Sequence, residues 1–251
     1  MNKKVKINIL KYTIDNSKAL IMIMLSYIGL GFFASIISLS ITNYINLFDL
    51  IFNNLNFISI FILPAFLAVG TKSFILTEKN YFFFSRFYSK KEYFNFQIKN
   101  IINITNILFF SMILLILIFI NFKGSFKNVI EQNIFYSVPN IIICIFGIIK
   151  VYLLIIIFQI LNILLLKSLL SKKLVYIIEF LLIFFLYNSY LVPNIKSLKF
   201  ILPSTYFDFT YMFSSFLSYF IFSLFYLSSI ILILYFCLKS IVIKKNIEIG
   251  E

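Results

Sequence analysis

Apolar and polar positions in this chain fall into blocks instead of alternating. Six stretches are almost wholly apolar: 19–41, 57–76, 101–120, 139–166, 174–192 and 213–238. Each is near the roughly 20 residues that a helix needs to cross a hydrocarbon core about 30 Å thick. Runs such as IIICIFGII and FLLIFFLY are apolar on every face, which suits a helix surrounded by lipid. A membrane β-barrel would show segments of roughly ten residues, alternating apolar outward and polar inward. The pattern therefore predicts an all-α polytopic membrane protein with six transmembrane helices. The polar connections are short, so one transmembrane domain is expected to occupy residues 1–251. The first block is too long for a signal peptide and lacks a small-residue cleavage site, so it is expected to persist as a helix.

Composition agrees: 62% of residues are hydrophobic and 12% charged, against about 45–50% and about 25% in ordinary soluble domains. The net charge of +13 would suggest nucleic acid in a soluble protein, but its placement points elsewhere. Lys3, Lys4, Lys6, Lys11 and Lys18 precede the first block. Lys79, Arg86, Lys90, Lys91 and Lys99 follow the second, Lys167, Lys172 and Lys173 follow the fourth, and Lys239, Lys244 and Lys245 follow the sixth. These 16 basic residues share one side of a six-pass chain, and four (Lys123, Lys127, Lys196 and Lys199) share the other. Basic loops mark the cytoplasmic face, so both termini are expected there, in contact with anionic lipid heads and not with nucleic acid. With 21 lysines to one arginine and abundant Ile, Asn and Phe, the chain reads as that of a bacterium with an AT-rich genome. The expected location is therefore the bacterial plasma membrane.

Several chemistries are excluded by missing residues. The chain has no histidine, which removes the commonest general base and metal ligand and any Ser-His or Cys-His pair. There is no Gly-x-x-x-x-Gly-Lys phosphate loop, and the nine acidic residues are scattered singly. Neither catalysis nor a cofactor is expected on this chain, and energy for any work must come from an ion gradient or a partner. Cys144 and Cys237 lie inside predicted helices without Cys-x-x-Cys spacing, and both are expected to be buried small hydrophobes.

Ionisable residues at membrane depth are costly and usually functional. Lys150 lies 11 residues after Pro139, about 16 Å from that end of its helix, and Glu179 lies six residues after Lys173, about 9 Å from the opposite face. The depths differ by roughly 16 Å, too far for a direct ion pair. Lys150 either packs between helices or snorkels, or it lines a hydrated cavity as a substrate-pathway residue. Glu179 is expected to face water or the Lys172/Lys173 cluster.

The most specific segment is TEKNYFFFSRFYSKKEYFNFQIKN at 77–100, where aromatics interleave with charge. Tyr81, Phe84, Phe87 and Tyr88 recur at spacings that make one face of a short interfacial helix, with Glu78 at its N-terminal end, favourable to the helix dipole. Ser89 followed by Glu92 fits a capping box that opens the next helix. A juxtamembrane helix anchored by aromatics and lysines would show the same spacing. The stretch resembles the coupling-helix region of ABC-2 type permeases, the membrane subunits of one class of ATP-driven exporter. In that family an acidic residue after the second helix leads to a short helix, a Ser-Arg-like turn, and a basic pair with a following aromatic. Glu78, then Ser85 and Arg86, then Ser89, Lys90, Lys91, Glu92 and Tyr93 stand at those positions, and Lys99 loosely matches a lysine near the start of the third helix. A glycine usual after the acidic residue is absent, and Phe87 replaces the usual proline.

Other features fit the resemblance. Lys4, Lys11, Asp15 and Lys18 fall on one helical face beside Ile7, Leu10 and Ile14, as the family's N-terminal amphipathic helix would. Residues 194–211, with Pro203 and Tyr206, match its re-entrant extracellular segment before the last helix. The resemblance implies a permease that pairs with itself or a sister permease and binds a cytoplasmic ABC ATPase dimer, ATP and Mg being held by that partner. Coupling would fall to the 77–92 region, where Glu78, Tyr81, Phe84, Arg86, Phe87, Ser89 and Lys90 meet the ATPase. Small members rich in Lys and Phe resemble exporters of amphipathic peptides such as bacteriocins, toxins and phenol-soluble modulins. An immunity permease against a peptide antibiotic, or a non-transporting scaffold or sensor, would share most of these features.

Overall fold

A computed structural model describes residues 3–39, 57–78, 87, 89–122, 140–168, 172–188 and 215–247. These residues form six α-helices and no strand: α1 (Lys3–Leu39), α2 (Leu63–Glu78), α3 (Lys90–Phe122), α4 (Asn140–Ser168), α5 (Lys172–Asn188) and α6 (Phe216–Ile247). A π-helical turn, Ile58–Ile62, runs directly into α2. Five of the helices, α2 counted with its π-turn, are long and apolar enough to cross a membrane. α5 is shorter, with 17 residues, or about 25 Å at 1.5 Å per residue. The expected span 174–192 is thus described as a helix only to residue 188.

α1 corrects the expectation of a separate amphipathic helix before the first crossing. Residues 3–39 form one helix of 37 residues, about 55 Å long and well beyond the hydrocarbon thickness. No glycine or proline stands between Lys3 and Ile28 to break it. The helical backbone runs unbroken from the charged N-terminal part into the apolar part, and Asp15 and Lys18 pair at 2.6 Å on its surface.

The π-turn has a local cause. Pro64 has no N–H to give the carbonyl of Ile60, four residues back, and its ring crowds that oxygen. The backbone widens instead, and the Leu63 N–H bonds the Ile58 carbonyl. The Ile60 carbonyl that Pro64 leaves unserved accepts the Tyr27 hydroxyl of α1 at 2.9 Å. A backbone acceptor in an apolar medium needs such a partner.

Of the five long apolar helices, α2 with its π-turn is the most enclosed and α6 the least. Ile62 of the π-turn and Leu63, Phe66 and Val69 of α2 meet Ile28 and Phe32 of α1, Leu108 and Met112 of α3, and Val151, Leu154 and Ile155 of α4. A second cluster joins Phe74, Phe94, Ile98, Ile160, Ile163 and Leu238 at the end of the bundle carrying most of the lysines. α6 packs chiefly along α4, and its first turn is capped by Ser215, whose Oγ accepts the Ser218 N–H. Leu30, Phe110, Phe180, Phe225 and Phe236 point outward and are exposed. Water would not tolerate so wide an apolar surface, whereas lipid requires it.

Candidate functional site

The connection after α2 is described at its two edges. Thr77 and Glu78 close α2; Thr77 Oγ1 donates to the Phe74 carbonyl at 2.8 Å. Glu78 forms an ion pair at 2.8 Å with Lys167 near the end of α4, and that ammonium also sits 5.0 Å from the Phe74 ring centre. Ser89 caps α3 as its spacing predicts: its Oγ accepts the Glu92 N–H at 3.1 Å, and its carbonyl accepts the Tyr93 N–H at 3.1 Å. Phe87 folds back on α3, with its ring centre 5.2 Å from both Tyr93 and Phe96. The Tyr93 hydroxyl donates to the Thr77 carbonyl at 2.5 Å and accepts Gln97 Nε2 at 3.1 Å, tying the start of α3 to the end of α2. The structure thus brings Glu78, Phe87 and Ser89 to one end of the bundle. Lys90 opens α3, while Tyr81, Phe84 and Arg86 lie outside the described residues, as does the segment 194–211.

Below this edge the helices are joined by buried polar groups. Thr13 of α1 donates to Asn100 Oδ1 of α3 at 3.1 Å, and Asn100 Nδ2 reaches Ser73 of α2 at 3.4 Å. Asn162 of α4 donates to Thr71 Oγ1 at 2.6 Å. Gln159 donates to the Phe66 carbonyl at 2.6 Å, crossing the space left open by Gly70. A methyl on Gly70 would collide with the Gln159 carboxamide. Small and polar residues at helix contacts are the usual means of association where lipid removes the hydrophobic drive.

Lys150 is fully buried between α4 and α6. Its ammonium donates to Tyr219 Oη at 2.8 Å and lies 5.1 Å from the Phe146 ring centre and 5.3 Å from that of Tyr219. The side chain is packed between helices, with the charge held by a hydroxyl and π faces. Cys237 corrects another expectation: it is exposed on α6, on a face turned away from the bundle.

Glu179 is 4% exposed and lines a cavity of about 580 Å³ between α1, α2 and α5, in place of the open protein surface expected of it. The Lys172 and Lys173 side chains, its other expected neighbours, lie outside what the structure describes. Tyr27, Pro64, Leu67, Tyr176, Phe180 and Phe184 are among the other lining residues. Glu179 Oε1 has no hydrogen-bond partner among the described residues. Tyr176, Phe180 and Phe184 of α5, and Tyr27 and Ile60 on the other walls, are exposed in part on the outside of the bundle. For the wall of Tyr27 and Pro64 the sequence offers one signal, Pro64 one residue into a helix, which orphans a carbonyl four residues earlier; nothing local marks Tyr27 as its partner.

Together these features define a membrane-embedded helical protein with a clasped basic end and an apolar cavity holding one carboxyl. Comparison with protein families, with curated proteins and with solved structures yields no match to this chain.

Proposed function

We propose that the chain is the transmembrane permease subunit of an ATP-driven exporter, crossing a bacterial plasma membrane six times with both termini in the cytoplasm. The observation that supports it most is the connection between α2 and α3. Glu78 ends one helix, the Ser89 cap starts the next, and Tyr93, Gln97, Asn100 and Ser73 bind the two together just beneath. A partner that pushed on this connection would move α2 and α3 as a unit, and through Thr13 and Asn162 would reach α1 and α4. The 16-to-4 distribution of basic residues supports a cytoplasmic position for this end, on the side where an ATPase would be found. In this reading Arg86 and the aromatics at 81–87 meet the ATPase, and the cargo is an amphipathic peptide or another hydrophobic compound. Capture of a cytoplasmic ABC ATPase with the tagged chain in its native host tests it. Arg86→Glu is expected to abolish co-purification; undiminished association, or no ATPase with the unmodified chain, overturns the reading.

A further inference from the structure

We infer that the cavity between α1, α2 and α5 binds an amphipathic ammonium compound, an apolar body carrying one protonated amine. Its volume of about 580 Å³ lies within the roughly 300–1,000 Å³ typical of ligand sites. Its walls are mainly aliphatic and aromatic, and Glu179 is the one carboxylic acid among its lining residues. That side chain is buried with its Oε1 unpartnered among the described residues. A buried carboxyl oxygen without a donor is destabilising until something supplies one. Of the hydroxyls that line the cavity, that of Tyr27 is donated to the Ile60 carbonyl. Lys150, the buried ammonium of the bundle, is held by Tyr219 and Phe146 and does not line the cavity.

The chemistry of the walls selects among ligands. An anion would be repelled by the carboxylate, and a plain acyl chain would leave Oε1 unsatisfied. A bare metal cation needs several oxygen ligands, about six to eight for calcium, which walls this apolar do not offer. A primary or secondary ammonium supplies both the donor and the counter-charge that let the carboxylate exist as an ion at this depth. The ring faces of Tyr27, Tyr176 and Phe180 suit both the cation and an apolar body. Phe180 and Phe184 in the cavity wall are exposed on the outside of the bundle, so such a compound is expected to enter from the bilayer it already occupies. Binding is a property of this chain alone and does not rest on the exporter reading or on any ATPase.

The test uses the full chain in nanodiscs of zwitterionic phosphatidylcholine, with monodansylcadaverine as the probe. This is a primary ammonium on a fluorescent apolar body, and its N-acetylated form is the neutral control. Saturable fluorescence enhancement above that of empty discs is expected with the unmodified chain. Glu179→Gln is expected to weaken it about ten-fold or more, Glu179→Asp to retain part of it, and Ala68→Phe to abolish it by filling the cavity. The acetylated probe on the unmodified chain should lose about as much as Glu179→Gln does, which keeps the test valid even if a variant folds poorly. Equal binding of the acetylated probe, or undiminished binding to Glu179→Gln, overturns the inference.

Discussion

At the basic end, α1, α2, α3 and α4 exchange hydrogen bonds through Thr13, Asn100, Ser73, Thr71, Asn162 and Tyr93. Along α5 the chain offers Tyr176, Phe180 and Phe184 beside a buried acid whose Oε1 lacks a hydrogen-bond partner among the described residues. Both regions contain buried polar atoms without a partner among the described residues, Asn162 Oδ1 and Gln159 Oε1 in the first and Glu179 Oε1 in the second. In the first the same side chains also bond a neighbouring helix, and in the second the unpartnered group is a carboxyl that lines a cavity. In lipid, where apolar contact between helices is little better than contact with acyl chains, the first arrangement fixes geometry. The second costs stability and is retained where a site needs it.

This contrast can be broken by substitution, and the largest effect is expected at the closest approach. Gly70→Ala forces the Gln159 carboxamide away from the Phe66 carbonyl, destabilising by about 1–3 kcal/mol. Gly29→Ala, where a methyl would meet only Leu115 at 3.8 Å, gains helix propensity of up to about 1 kcal/mol. Thermal unfolding of the two variants in detergent micelles should therefore shift in opposite directions. Next is Tyr27→Phe, which leaves the Ile60 carbonyl without its hydroxyl and costs about 1–3 kcal/mol by the same assay. Asn100→Leu breaks the link between Thr13 and Ser73 and costs about 1–2 kcal/mol. Glu179→Leu has the opposite sign: removing a buried, unpartnered acceptor raises stability by about 1 kcal/mol, and a lower melting point would contradict the reading of α5. The smallest effect is at the surface. Glu78→Gln loses a half-exposed pair with Lys167, worth about 0–1 kcal/mol, and that difference should vanish at high salt.

The sequence made the helices legible because lipid imposes a coarse rule, a long apolar run for each crossing. The Ser89 cap was legible as well, since its partner Glu92 lies only three residues away. α1 was read as two elements because its charge pattern changes along its length, although nothing in 3–28 interrupts the backbone. Glu179 was misplaced for a different reason. Distance along α5 gives its depth, but whether it meets water or a cavity depends on Tyr27 and Pro64, which are more than a hundred residues away in the chain. Cys237 likewise needed the packing of α6, which leaves one face outside the bundle.

Hydrogen exchange by mass spectrometry on the chain in nanodiscs, with and without monodansylcadaverine, tests the contrast between the two regions most directly. The account predicts slow exchange in 92–106, where the helices are clasped, and faster exchange in 172–188, with the probe slowing the second segment alone. Equal exchange in the two segments, or a probe effect confined to 92–106, would contradict it.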